Sequence, residues 1–528
     1  MKETKVVFIA IMDYDNLGIG YMASILSQAG IKSKTVDFHK NKQEILRIIK
    51  KTDPLLIGFS ILFHNHINIF FDLVNFLRKE GILCHFTAGG HYASLKPAQL
   101  FAFIPLLDSI VRFEGEYTLL ELVKCISSGE DWRRTKGIAY RQNGEIIMNT
   151  LRPLEKDLDK FPFPVRSPLK EYAFKKKFAT IIAGRGCIYN CSFCNTREFY
   201  HQASGPIKRI RKPEMVIREM KYLNNKKGCS VFLFQDDDFP LKSKLFPSWI
   251  TSFCCELERT GLNKKVIWKM ACRPDEIEEE IFLLMKNNGL YQVFLGIEDG
   301  TDIGLKRLNK HMTVEKSLKG INILRKLKID FDYGFILFQP LTTFRSLDEN
   351  LDFLKQICGD GQTPVSFLRL ITLYETRVEK ELSKAGRLIE SDGIKEYSFL
   401  QEAMNRYYDF IMDCFTEWLR YPDGVENVAK WARNYCSVFL HYFYVLPEAT
   451  KFYKKIKKII SESNLFLLDT MKELSVTFKT GDYKKDTEFL DCCKKKIKIK
   501  HDHYRNKIIQ TMAEVLSFAE DQKILINP

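Results

Sequence analysis

Short apolar runs separated by stretches of helical periodicity fill the first 380 residues. The run at 5–12 (KVVFIAIM) is continuous, as in a strand buried on both faces of a parallel sheet. Further runs at 33–37, 55–60 (LLIGFS), 83–88 and 109–112 repeat it, with helical patterns at 19–29, 42–51, 67–79 and from Tyr117. Strands and helices alternating at this spacing predict a doubly wound parallel sheet over 1–150, ending in a hairpin with an Asn143-Gly144 turn. Residues 151–177 carry Pro-Phe-Pro and few regular signals and read as a linker. The alternation resumes over 178–378, with strands at 179–183, 230–234, 265–271, 291–295, 330–337 and 367–373. Six such units make a partial (β/α)6 barrel whose strand ends share one mouth. Beyond Val378 the rhythm stops. Residues 379–528 read as an all-helical domain, with helices at 397–419, 425–445, 448–463, 464–478, 487–500 and 503–521, capping the barrel mouth. The fold class is thus α/β with a helical C-terminal domain.

Composition narrows the picture. The chain has 528 residues, 45% hydrophobic and 13% aromatic, enough for three domains with full cores. Its 14 cysteines are scattered without a framework, which suits a reducing, cytoplasmic location. The N-terminal apolar run is broken by Asp13 and Asp15, and no run is long enough to span a membrane. The formal charge is +15, with much of the excess in 451–507. No nucleic-acid-binding motif accompanies it, so a solvated helix face is preferred to a nucleic-acid partner. Aromatic residues crowd 407–453 at helical spacing and read as core.

The chemistry concentrates in 181–196, IIAGRGCIYNCSFCNT, where a strand opens through Gly184-Arg185-Gly186 into Cys187-x-x-x-Cys191-x-x-Cys194. Three thiolates in eight residues are soft ligands for zinc or an iron–sulfur cluster and leave one metal position open. No second C-x-x-C is present to complete a zinc site. In the first sheet, loops 13–18, 60–65, 89–94 and 113–116 follow strand C-termini, where ligands of such sheets bind. In the barrel, Asp236–Asp238 end a strand, and consecutive side chains there diverge rather than converge on a metal. Arg273 is a candidate for a substrate carboxylate or phosphate.

The cysteine pattern, with Phe193 before the last cysteine, resembles the radical S-adenosylmethionine (SAM) superfamily. The resemblance implies a [4Fe–4S] cluster on Cys187, Cys191 and Cys194 that cleaves SAM, with SAM contacted by Phe193, Gln235, Asp236 and Glu298. The N-terminal loops resemble the cobalamin (B12)-binding domain, in Asp13-x-Asp15-x-x-Gly18, Ser60-x-Leu62 and Gly89-Gly90. It implies a corrinoid site of Asp13, Asp15, Asn16, Leu17, Gly18, Ser60, Leu62, Gly89, Gly90, His91, Glu114 and Gly115, the glycine pair making room for the cofactor tail. Asp15 stands where that family carries a histidine ligand to cobalt. Base-off cobalamin with no histidine from the motif is therefore expected. Together the resemblances imply a cobalamin-dependent radical SAM enzyme, foremost a C-methyltransferase acting on an unactivated carbon of a peptide or small natural product. The alternatives are a B12-dependent radical cyclase, rearrangement or oxidation enzyme, and a non-catalytic B12 or redox sensor. A flavodoxin- or ferredoxin-type electron donor is implied as partner, without membrane or nucleic acid.

Overall fold

The computed structural model describes residues 5–12, 15–241, 247–391, 394–481 and 487–522. Asp13 lies outside them.

Strands β1 (Lys5–Ala10), β2 (Lys32–Asp37), β3 (Leu56–Ser60), β4 (His85–Gly89), β5 (Ser109–Val111), β6 (Ile138–Gln142) and β7 (Glu145–Met148) form one sheet in the order β2-β1-β3-β4-β5-β6-β7. The first five run parallel, and β6 and β7 form the antiparallel hairpin. β1 and β3 are buried along almost their whole length, which is why they read as unbroken apolar runs. The order reverses between β1 and β3, and the loops there open a crevice at the sheet's carboxyl edge.

The connector is ordered and strapped to this domain. Val165 N–H donates to the Gly20 carbonyl at 3.0 Å, and Phe161 packs on Tyr21. Its last residues already belong to the next sheet, because β8 (Glu171–Ala173) pairs antiparallel with β9 (Lys176–Ile181). A two-residue ribbon, β10 (Gly184–Arg185) with β11 (Arg209–Ile210), frames the cysteine loop. Then come β12 (Cys229–Phe234), β13 (Ile267–Cys272), β14 (Leu290–Glu298) and β15 (Asp330–Phe335), parallel to β9 in the order β15-β14-β13-β12-β9-β8. The sixth unit expected at 367–373 contributes one bridge, Phe338 with Arg369, rather than a strand. Arg369 is drawn aside onto the rings of Tyr397, Tyr408 and Phe399, and Leu368 and Ile371 are left exposed.

A short hairpin, β16 (Leu388–Ser391) with β17 (Ile394–Tyr397), precedes four helices: Glu402–Arg420, Val425–Tyr442, Pro447–Thr480 and Thr487–Asp521. Two expected helix breaks are absent. Asn464, read as a start, is interior to its helix and bonds Val365 N–H and the Cys358 and Thr363 carbonyls. His501, near the second expected break, is buried against Trp418. Both polar residues serve tertiary contacts rather than caps.

The helical region does not cap the mouth. Tyr442 Oη donates to the Ser230 carbonyl at 3.1 Å, and Tyr453 Oη donates to Asp330 at 2.6 Å. Ser437 also bonds Asp330. Ser230 and Asp330 sit at strand N-termini, so these helices close the floor of the half-barrel and leave the mouth to the first domain. Tyr407, Phe415, Trp418 and Phe439 are buried there as core. Among the described residues no helix is long and apolar enough to cross a membrane.

Candidate active site

The carboxyl edges of the two sheets face a shared cavity of about 800 Å³. From the first sheet it is lined by Asp15, Asn16, Leu17 and Gly18 after β1, Ser60 and Leu62 after β3, Gly89, Gly90 and His91 after β4, and Glu114 and Gly115 after β5. The barrel adds Thr180, Ile182, Gly184, Arg185, Leu233, Gln235, Asp237 and Lys269, and the helical region adds Asn434. Every expected corrinoid residue that is described therefore borders one space, together with Gln235. Cys187, Cys191, Cys194, Phe193, Asp236, Glu298 and Arg273 do not line it.

Several of these residues have structural duties that the sequence did not show. Asn16 caps the following helix, its side chain accepting from Ile19 N–H at 3.1 Å. Asp15 is paired with Arg166 of the connector at 3.0 Å, and Arg166 also holds Glu219 at 2.6 Å. Burial pushes the Asp15 carboxyl up against the opposing pull of Arg166. Glu114 accepts two bonds from Arg209, both at 2.8 Å, and one from Arg185 at 3.1 Å. Burial raises Glu114, but the two guanidinium groups outweigh it and hold the carboxyl below its ordinary value. Glu114 thus binds the barrel's own arginines before it could contact a cofactor. Gly90 has φ +111°, and a Cβ there would meet the Ile61 carbonyl at 2.6 Å. The neighbouring strand end, not a ligand alone, requires this glycine. His91 stacks on Phe199 at 4.0 Å, and burial lowers its pKa.

Ser60 is the counter-example. It is buried at the cavity wall, and its hydroxyl has no hydrogen-bond partner among the described residues. A hydroxyl free of protein partners on the lining of a cavity of this size is open to a polar ligand.

The cysteine loop is built by the acidic run. Asp236 accepts from Ala183 N–H at 3.0 Å and Gly184 N–H at 2.6 Å, and Asp237 accepts from Gly186 N–H at 3.0 Å. Gly186 has φ +78° and lies against the Ile207 carbonyl, so only glycine fits. Asp236 was expected at SAM. Instead its carboxylate is engaged by the backbone of the turn, and burial pushes it up to about 7. Farther along the loop, Ser192 N–H donates to the Leu308 carbonyl at 2.9 Å and Val378 N–H to the Ser192 carbonyl at 3.1 Å. The three cysteines are free and partly buried. Burial, Asp238 and the other two thiols push Cys187 up to about 12. A polycation at the thiols would reverse that balance. Among the described residues no three His, Cys, Asp or Glu side chains close on a single ion. Three thiols on one loop are a soft donor set of the kind that holds an iron–sulfur centre.

Beside the loop, Arg273 is spent on Asp275, at 2.9 and 3.1 Å, and lies over the Tyr189 ring at 4.2 Å. It supports the cysteine loop and does not face the cavity, contrary to the substrate contact expected of it. Glu298 ends β14 at φ +70°, outside the range a side chain prefers, and pairs with Lys310 at 3.5 Å. Burial raises its pKa. A strained carboxylate at the mouth is a mark of function. Phe193 packs against the barrel core. The residue that sequence reading missed is Arg185. From the glycine turn it donates to Glu114 and to Glu116, at 2.7 Å, and stacks between Tyr21 and Phe161 at 5.0 Å from each. Its only sequence signal was its place between the two glycines of the turn.

Two family profiles match this chain, the Radical SAM superfamily over residues 181–354 and the B12 binding domain over residues 5–123. An uncharacterized methyltransferase of Pyrococcus horikoshii is 26% identical over 347 residues, 65% of this chain and 73% of the relative. An anaerobic magnesium-protoporphyrin IX monomethyl ester cyclase of Cereibacter sphaeroides is 29% identical over 342 residues, 61% of this chain but 54% of the relative. Among solved structures, the cobalamin-dependent SAM radical enzyme OxsB, with aqua-cobalamin and SAM bound, superposes with a TM-score of 0.67 at 16% identity, covering 95% of this chain and 84% of that one. At that identity the likeness is one of fold.

Proposed function

Because this chain belongs to the radical SAM enzymes that carry a B12-binding domain, we propose that it is a C-methyltransferase using a [4Fe–4S] cluster, SAM and cobalamin on an unactivated carbon. The observation that supports this most is the single cavity shared by the loops of the first sheet and the mouth of the second. When bound, the cofactors supply a carbon-centred radical from SAM and a transferable methyl group from the corrinoid. The chain's own part is positioning. Asp236 and Asp237 hold the turn that presents Cys187, Cys191 and Cys194. Arg185 ties that turn to Glu114 and Glu116 of the corrinoid domain. Ser60, Gly89 and Gly90 border the corrinoid space, and Ser60 offers its hydroxyl there. Gln235, Phe193 and Glu298 would contact SAM, and Arg273 steadies the cysteine loop through its place over Tyr189. Asp15, locked to Arg166, would not be free to ligate cobalt, so a base-off corrinoid bound here would take no ligand from this motif.

The substrate is a small molecule or peptide. The location is cytoplasmic, and a flavodoxin- or ferredoxin-type protein delivers the electrons. Anaerobic turnover with a substrate should give S-adenosylhomocysteine and 5′-deoxyadenosine together, with a product heavier by one methyl group. Deoxyadenosine with an unmethylated product would assign the chain to the radical cyclase, rearrangement or oxidation reading, the first of which the similarity to the Cereibacter cyclase keeps in view. No SAM cleavage after reduction would leave only the sensor reading.

A further inference from the structure

The cavity runs past the mouth into the half-barrel, and its inner end is polar. Lys269, on β13, points inward at the same level as Gln292 on β14, its register partner. Asn434 reaches the same space from the helix that closes the floor. The Asn434 amide is oriented by its neighbours. Its Oδ1 accepts from Gln292 Nε2 at 2.8 Å and from Arg433 Nη2 at 3.0 Å, so its N–H groups are left for the cavity. Arg433 is neutralised by Asp332 at 2.5 Å, and its other arm bonds the Phe331 carbonyl. Among the described residues Lys269 has no hydrogen bond or ion pair; it acts on Asp332 only through its field. Gln292, 1% exposed, keeps an unpartnered Oε1, so the polar groups of the floor do not satisfy one another. Two residues beyond Gln292 on the same face of β14 is Phe294, 45% exposed.

An ammonium without a hydrogen-bonded partner and oriented amide donors, on the lining of one cavity, form a site for an anion. We propose that Lys269 and Asn434 bind a carboxylate or phosphate of the substrate, whose carbon skeleton then extends along the cavity toward Gln235 at the mouth. This rests on the enzymatic reading above and adds to it the substrate class, an organic anion. Arg433 is a positioning residue that sets the Asn434 amide.

The test uses the anaerobically reconstituted holoprotein titrated calorimetrically with inorganic phosphate and with acetate. Wild type should bind at least one of them saturably. Lys269→Met and Asn434→Asp should each weaken that binding about tenfold or more, and Lys269→Arg should keep it within about threefold. Asn434→Asp still accepts from Gln292 and Arg433, so it alters the charge facing the cavity while preserving the contacts that hold the helix. Cluster and corrinoid absorbance report that each variant is folded. Preference for phosphate marks a phosphorylated substrate, and preference for acetate a carboxylate. No saturable binding of either anion by wild type, or equal binding by wild type, Lys269→Met and Asn434→Asp, overturns the proposal. Reductive SAM cleavage by the wild type is measured separately. Its absence would sink the enzymatic reading without touching the anion titration.

Discussion

The two ends of the half-barrel are closed by different chemistry. At the mouth the contact with the first domain adds buried and half-buried ion pairs to the His91–Phe199 stack: Arg185 and Arg209 on Glu114, Arg166 on Asp15 and Glu219, and Lys96 on Glu375. At the floor the contact is aromatic. Phe174, 1% exposed, packs among Tyr435, Phe439 and Phe443, beside one buried Arg433–Asp332 pair and exposed pairs such as Lys355–Asp469 and Lys457–Asp360. Around Phe174 aromatic packing closes the floor without a ligand, apart from the Lys269 end of the cavity. The ion pairs at the mouth ring a cavity, fixing the orientation of two domains while leaving the space between them open. The difference places chemistry at the mouth and support at the floor, with the Lys269 end of the cavity as the place where the floor takes part.

The largest effect should come from the cysteine loop. Cys191→Ala should abolish the iron–sulfur absorbance and all reductive SAM cleavage, while corrinoid binding to the first domain persists. Loss of both cofactors together would mean that the two sides of the mouth fold as one unit.

The two seals can then be broken separately. Glu114→Gln leaves Arg209, whose side chain is 1% exposed, without a full counter-charge, at a cost of about 3–5 kcal/mol. Phe174→Ala opens a hole in the floor at a similar cost of about 3–5 kcal/mol. Denaturant unfolding should find both destabilised, but only Glu114→Gln should weaken corrinoid retention at fixed protein concentration. Equal corrinoid loss in both variants would dissolve the distinction between the two ends.

Acidity sharpens it further, because the two ends carry carboxylates shifted in opposite directions. Asp236 at the mouth is raised by burial to about 7 from an ordinary value of 3.8. Its proton is held more tightly in the folded state, so its stabilising contribution is complete below pH 3.8 and is lost as pH rises through 7, by about 4 kcal/mol at most. Asp332 at the floor is buried too, but Arg433 and the neighbouring lysines outweigh that and hold it below 3.8. Its contribution is present above pH 3.8 and lost as pH falls through the lowered value. Asp236→Asn should therefore flatten the stability profile between pH 4 and 7, whereas Asp332→Asn should lower stability at neutral pH and remove a slope only at more acid pH. The reverse assignment in a pH series of unfolding curves would refute this account of the mouth.

The strands and the strand-end loops were legible because burial on both faces leaves an unbroken apolar run, as in β1 and β3. The cysteine spacing and the order Asp15, Ser60, Gly89-Gly90 were legible because each is a local pattern. The arginines of the mouth were not, since Arg166 lies 151 residues from Asp15 and Arg209 lies 95 from Glu114. No periodicity marks such a pair. Asp236 was placed by resemblance at SAM, and its backbone bonds to the turn became visible only when β9 and β12 were paired. The position of the helical region was misread for a related reason. Its aromatic crowding announces a core but not which end of the barrel that core covers.

The smallest expected effect concerns the basic C-terminal helix, which supplies much of the positive charge. Lys494 pairs with Asp413 at 2.6 Å and Lys498 with Glu417, all four side chains well exposed. Exposed pairs of this kind contribute about 0–1 kcal/mol each. Replacing both lysines by alanine should move the melting temperature little and leave cofactor content unchanged, since the buried face of that helix rests on Ile497, Tyr504 and Ile508 instead. The informative measurement is reduction by a flavodoxin-type donor. If the donor docks by electrostatics at the mouth, where the cysteine loop lies, the double variant should be reduced at the wild-type rate. A rate that falls and loses its salt dependence would move the docking site to the outside of the floor and make this helix a partner surface rather than a solvated one.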